Sequence, residues 1–386
     1  MMDIGYNLED IVVFTQKLVQ TPSPSGKEGP IAEIIAEEMR KLDYDEVMID
    51  PIGNVLGTIK GSGGGKTLLF SGHIDHAEPG AMEEPYSGKR MDGRKFGVAG
   101  EVIYGRGAVD MKGAVASMVY AAAAVKASGM KLSGDIIVAG NPLEETSGAD
   151  GTIYMLDVDG VKADGAVCGE ATNLGIYLGH RGNAEVKLTV KGLMAHGSNP
   201  SRGINAAIKA SQLVCYIMDN YKLPKHDLLG QCTTTILDIK ADTERQAPVV
   251  PDRCFVYVDR RFLPGETKED ILKEFEALVA GAKKEISDLD VDMEITKWGL
   301  ALFTPAEEPV TQALIAARTK VLGEAGKLSA WIFGTDGAFI ADRGIPCVGF
   351  GPGNEAYAHT PEDHISIEDL DKSTKVYVQM AVEFCK

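Results

Sequence analysis

Strand and helix signals alternate through the first 182 residues and then change rhythm, and a chain carrying both patterns needs two separately packed sheets. Helical patterns near 7–20 and 27–42 are separated by TPSPSG, where proline and serine suit a helix break and an N-cap. Strand patterns at 45–50 and 53–60 lead through GSGGGK into TLLFSGHID. EVIYG, an alanine-rich helix over 112–129, DIIVAGNP and AVCGE follow. This alternation predicts an α/β fold with a mostly parallel sheet flanked by helices. From 183 the order becomes AEVKLTVKG, a helix through INAAIKASQLVCYIMDNY, TTTILDIKAD, CFVYVDRRF, a helix over 266–286 and VDMEITKW. That is β-α-β-β-α-β, a ferredoxin-like pattern able to pack as a domain by itself. Helix and strand then resume to the end. The predicted organisation is a discontinuous domain, 1–182 and 299–386, with a second domain inserted at 183–298. A length of 386 residues fits two cores better than one.

A net charge of −17 argues against nucleic acid or an anionic membrane as partner, since either wants a basic face. The six cysteines are scattered without a C-x-x-C pair, as in reduced core thiols. The N-terminal MMDIGYNLED has no signal-peptide core, and no run of about 18 apolar residues is evident. A cytoplasmic location is the expectation. GSGGGKT at 61–67 looks like a phosphate-binding loop but has one residue too few between its outer glycines. It also runs into a strand where such a loop runs into a helix.

The chemistry sits where strands stop. LLFSGHIDH ends an apolar strand on His73, Asp75 and His76, and residues two apart in extended chain share a face. Asp110 follows EVIYGRGAV, Glu144 and Glu145 follow DIIVAGNPL, Glu170 follows AVCG, and His359 follows VGFGPG. In open α/β sheets, sites gather at the carboxyl ends of strands. Each of these residues alone reads as a polar loop position. Together they would bring several carboxylates to one edge, a costly arrangement unless cations neutralise them. Imidazole and carboxylate without thiolate suit Zn²⁺, with Co²⁺ or Mn²⁺ as alternatives. One shared carboxylate between two ions makes a hydrolytic site, and of two adjacent glutamates one can bind metal while the other handles protons.

SGHID, GRGAVDMKG, EETSGADG, GEAT, AHGSNP, RGINAA, DRRFLPGE and AHTPEDH, in this order, resemble the co-catalytic zinc hydrolases. That family includes acetylornithine deacetylase, succinyl-diaminopimelate desuccinylase, aminoacylase and glutamate carboxypeptidases, and the likeness runs from about residue 8 to 380. The resemblance implies two zinc ions per chain, one on His73, Asp110 and Glu170, the other on Asp110, Glu145 and His359. It implies that Glu144 is the base for a metal-activated water, that Asp75 orients His73, and that the Asp110–Met111 peptide is cis. It further implies that His196 stabilises the oxyanion and that Asn205, Arg261 and Gly334 contact substrate. The inserted domain would act as a lid and build a homodimer. The expected function is hydrolysis of an amide in a small carboxylate-bearing substrate, by N-acyl amino acid deacylation or short-peptide cleavage. Carbamoyl hydrolysis of ureido acids and a non-enzymatic metal-dependent binding protein are the alternatives. Specificity is expected to reside in the segments 77–100 and 242–250. His76 is expected to point away from the ligands, and His364 to lie beside the site or at the surface.

Overall fold

A computed structural model describes residues 5–146, 148–242 and 248–386, so 243–247 of the expected specificity segment lie outside the described residues. The chain divides into two compact units, one running to Gly179 with Leu302–Ala330 and Thr335–Lys386, the other His180–Ala301 with Trp331–Gly334.

The first unit is built on a nine-stranded sheet. Its order is Glu46–Ile49, Val55–Ile59, Ile136–Asn141, Leu68–His73, Gly165–Cys168, Cys347–Gly349, Ile176–His180, Leu302–Phe303, with Leu328–Trp331 also beside Ile176–His180. The four middle strands, Ile136–Asn141 to Cys347–Gly349, are parallel. The expectation of a mostly parallel sheet needs correction, because the flanks are antiparallel and the sheet is mixed. At the outer flank a short connection dictates this: Asp50 caps a tight turn between Glu46–Ile49 and Val55–Ile59 by accepting from the N–H groups of Ile52, Gly53 and Asn54, and a turn that short joins only antiparallel strands. EVIY does not enter this sheet at all. Glu101–Tyr104 pairs with Lys89–Asp92 and His364–Ser366 in a separate three-stranded sheet.

Every residue of Leu68–His73 is buried, as expected of a strand covered on both faces. Leu68, Leu69 and Phe70 are fully buried, each contributing about 1.5–3 kcal/mol of hydrophobic stabilisation. The helix Gly113–Ala127 packs against this strand, Ile136–Asn141 and the C-terminal helix Ile367–Phe384. Ala108–Ala127 is long and apolar enough to cross a membrane by composition, but 94% of its apolar window is buried inside the protein, so the helix Gly113–Ala127 within it belongs to the core.

The second unit carries an antiparallel sheet in the order Thr234–Ala241, Arg253–Phe262, Gly182–Lys191, Asp290–Gly299. Ala206–Asn220 and Lys268–Ala282 cover one face, with Ala184, Val186, Leu188 and Val190 meeting Leu213, Ile217, Ile271 and Phe275 in its core. Strict alternation along Arg253–Phe262 buries Arg260 and leaves Arg261 half-buried. Arg260 binds Tyr221, Glu266 and Glu274. Arg260→Ala strands two carboxylates that are themselves partly solvated, so a loss of about 2–3 kcal/mol is expected in denaturant melts. An unchanged midpoint would show the cluster to be neutral. Cys215 corrects the reading of all six cysteines as core: it is exposed, because Ala206, Ala210, Leu213 and Ile217 form the inward face of its helix. The other five are buried, and all six are free thiols.

Candidate metal centre

Three parallel strands deliver site residues from their carboxyl ends. Leu68–His73 ends on His73, Gly165–Cys168 is followed by Glu170, and Ile136–Asn141 is followed by the loop bearing Glu144 and Glu145. Asp110 arrives differently, in the turn that leads into Gly113–Ala127, and its peptide bond to Met111 is cis. His359 lies on the loop after Cys347–Gly349.

These residues converge as two donor sets, His73, Asp110 and Glu170, then Asp110, Glu145 and His359, with the ligand atoms of each set within 4.8 Å of one another. Asp110 faces both, with Oδ1 2.8 Å from His73 Nε2 and Oδ2 3.1 Å from His359 Nε2. Glu170 Oε1 lies 3.5 Å from His73 Nε2, and Glu145 Oε1 3.0 Å from His359 Nε2. His73 Nδ1 donates to the carbonyl of Asp75 at 3.1 Å, which places the proton there and turns the Nε2 lone pair toward the donor set. The Asp75 carboxylate is farther from the ring, at 3.5 Å. Its oxygens instead accept the backbone N–H groups of Glu144 and Glu145 at 3.2 and 3.1 Å, and the Ser25 hydroxyl at 2.7 Å. Nothing in the spacing of the motifs signals that role.

The electrostatics suit a cation. Burial, then the neighbouring Asp110, pushes the Glu170 carboxyl well above its ordinary range. Burial opposes the Asp110 carboxylate, yet His359 and His73 hold it well below the usual range. Contacts with Asp110 and Glu145 raise His359 to about 10. A field this negative on hard oxygen and imidazole donors fits a divalent metal in each set. The Glu144 carboxyl makes no hydrogen bond or ion pair among the described residues. Burial, reinforced by Asp336, Asp110 and Glu145 and opposed by His73, lifts it to about 8.

Buttresses surround the centre. Asp363, fully buried, accepts from the N–H groups of Gly107 and Val109 and pairs with Arg106, setting the turn that presents Asp110. His76 is buried, accepts from the Ser23 N–H through Nε2 and donates to the Ala77 carbonyl through Nδ1. His364 is buried between Phe96 and Tyr357, with ring centroids 4.3 and 4.5 Å away. Phe96 belongs to the 77–100 segment, which is pinned here and also contributes a strand, Lys89–Asp92.

Four predicted residues lie in the second unit. His196 is exposed, and its Nδ1 accepts from the Ser198 N–H, which leaves the proton on Nε2 as a donor. Asn205 caps Ala206–Asn220, its Oδ1 accepting from Ala207 and Ile208, so its amide nitrogen remains to donate. Arg261 Nε donates to Asp259 Oδ1 at 2.9 Å. Gly334 has room for a Cβ, the nearest atom being His180 Cε1 at 3.8 Å.

Peptidase family M20/M25/M40 matches residues 69–383. The chain is 33% identical over 370 residues to the Escherichia coli K12 protein described as "Uncharacterized protein YgeY", covering 92% of this chain and 89% of that one. It is 27% identical to N-formyl-4-amino-5-aminomethyl-2-methylpyrimidine deformylase of Bacillus subtilis, covering 98% of this chain and 95% of that one. Aminopeptidase PepT from Bacillus cereus shares the fold, with a TM-score of 0.77 at 22% identity over 98% of this chain and 99% of that one. Two donor sets joined through one carboxylate, with a free glutamate beside them, are equipment for metal-dependent hydrolysis of an amide bond. This chain performs that chemistry as a member of peptidase family M20/M25/M40.

Proposed function

We propose that the chain is a two-metal amidohydrolase, with zinc as the metal, that removes the acyl group from an N-acyl amino acid or cleaves a short peptide. The observation carrying this reading is Asp110, which offers one oxygen to each donor set while Glu144 is left free. His73, Asp110 and Glu170 would hold one ion, and Asp110, Glu145 and His359 the other. When bound, the cations supply Lewis acidity toward the amide carbonyl and lower the pKa of water. Glu144 takes the proton of the attacking water and returns it to the leaving amine. A carboxyl near 8 would be mostly protonated at neutral pH, and nearby cations lower it. The loaded enzyme should therefore show the acid limb of its rate profile well below 8.

The Nε2–H of His196 suits a donor to the oxyanion, and Arg261 with the Asn205 amide suits a substrate carboxylate. Gly334 is retained as a backbone contact. The inserted unit is proposed as lid and dimerisation domain, with the strand order of a ferredoxin-like sheet. Exposed Leu237 and Ile239 on its outer strand and Ile208 and Met218 on its helix support a homodimer. Sedimentation at micromolar concentration should give a dimer, and a monomer would overturn that part. Six free thiols support a reducing, cytoplasmic setting.

The test is metal content after purification without chelator, together with turnover of N-acetyl and N-formyl amines, N-succinyl-diaminopimelate, di- and tripeptides and ureido acids. About two zinc, cobalt or manganese ions per chain and one hydrolysed amide class are expected. Absence of metal uptake on adding Zn²⁺ would remove the reading.

A further inference from the structure

The loop that carries Glu144 and Glu145 is held by a segment from far away in the sequence. Three successive backbone N–H groups, those of Leu143, Glu144 and Glu145, all point into carboxylates. Leu143 donates to Glu28 Oε1 at 3.1 Å, and the other two donate to Asp75. The loop has little local reason to adopt this shape. Leu143 and Ala149, at φ +67° and +50°, are left-handed without being glycine, a conformation that side chains with a Cβ adopt only under strain. External ties must offset that strain.

Those ties come from residues 23–28. Ser23 is laid against the chain just beyond His73: its N–H donates to His76 Nε2, its hydroxyl to the Ile74 carbonyl, and its carbonyl accepts from His76. Ser25 then donates to Asp75 Oδ2 at 2.7 Å, on the oxygen that also receives the Glu145 N–H. Glu28 is 5% exposed, and its Oε1 accepts from Gly26 at 2.9 Å as well as from Leu143. No cation pairs with Glu28 among the described residues. Its carboxyl group is a buried acceptor whose hydrogen bonds among the described residues come from two backbone N–H groups, so its burial is compensated only while those partners stay in place.

We infer that Ser25 and Glu28 are positioning residues of the hydrolytic centre, Ser25 acting through Asp75 and Glu28 through Leu143 to place the Glu144 base and the Glu145 ligand. The inference rests on the two-metal reading above. Glu28 holds Leu143, two residues before Glu145 of the second donor set, and among the described residues it makes no hydrogen bond or ion pair to His73 or Glu170, so its loss should weaken one metal site and spare the other. Removing the partner of a ligand-holding group characteristically costs about 10–100-fold in metal affinity or activity.

The experiment titrates metal-free full-length wild type, Ser25→Ala, Glu28→Ala and Glu28→Gln with Co²⁺ alone, followed by visible absorption. Steady-state kinetics on the substrate that wild type turns over complete it. For Glu28→Ala, one of two Co²⁺ equivalents should bind at least about 10-fold more weakly, with kcat down about 10–100-fold and KM within about two-fold. Ser25→Ala acts through Asp75, which also lies 3.5 Å from the His73 ring, so the same losses are expected there without the sparing of one site. Glu28→Gln keeps the acceptor oxygen and should stay within about three-fold of wild type in both readouts. Co²⁺ affinities and kcat within two-fold of wild type in both alanine variants would overturn the inference. Glu28→Gln as damaging as Glu28→Ala would also overturn it, because charge and not the acceptor would then matter. Should Glu28→Ala fail to fold, Ser25→Ala and Glu28→Gln decide by the same criteria. Wild type that takes up no Co²⁺ would remove the two-metal reading itself, a result distinct from unaffected variants of a metal-binding wild type.

Discussion

Glu144→Gln is expected to lower kcat by about 10²–10⁴-fold while both metal equivalents stay bound. The substitution keeps the size of the side chain and removes its capacity to accept a proton. Glu144 contributes to neither donor set, and its carboxyl has no hydrogen bond among the described residues, so the change leaves the ligands and their supports in place. The loop geometry should persist too, because the contacts that hold it run through the backbone N–H groups of Leu143, Glu144 and Glu145 and are blind to this side chain. Metal analysis and kcat measured on one preparation give the answer. Hydrolysis within about three-fold of wild type would exclude Glu144 as the base. Loss of metal alongside activity would make it a ligand in place of a base.

Asp110→Asn should have a comparably large effect through a different route. Asp110 puts Oδ1 toward His73 and Oδ2 toward His359, so it is the residue whose loss touches both sets. An amide can offer only its one oxygen to a cation, and its NH₂ group would face the other imidazole. Metal content should fall from about two equivalents to one or fewer, with turnover lost. Stability gives an independent readout. Bound metal at 100 times its dissociation constant stabilises by about 2.7 kcal/mol, on the order of 2–4 °C in melting temperature for a chain of this class. Chelator should produce that drop in wild type and a smaller one in Asp110→Asn, falling to none if the variant holds no metal. Two equivalents retained by the variant would rule out the shared-carboxylate arrangement.

These two residues differ in how legible they are. Glu144 and Glu145 stand directly after an apolar run, and the pairing of a base with a ligand can be read from their adjacency. Asp110 was expected at the end of a strand of the main sheet. Its strand, Glu101–Tyr104, belongs instead to a small separate sheet, and Asp110 is presented by a turn that Asp363 stabilises from 254 and 256 residues away. The residue was readable from its motif and the support was not. The same holds for the 77–100 segment, whose Phe96 stacks on His364 and thereby fastens the stretch next to His359.

By itself the sequence determined where apolar runs stop and which titratable groups stand at the stops, because burial on both faces of Leu68–His73 leaves a continuous hydrophobic stretch with an abrupt end. It also determined the alternation along Gly182–Lys191 and Arg253–Phe262, a period-2 signal that one covered sheet face imposes. Only the tertiary structure decided that the sheet has antiparallel flanks, that Asp75 serves the acid loop more closely than the His73 ring, and that Ser25 and Glu28 reach the centre. The placements of Asp75, Ser25 and Glu28 rest on single hydrogen bonds between segments 50 to 115 residues apart, and such bonds impose no periodicity on either partner.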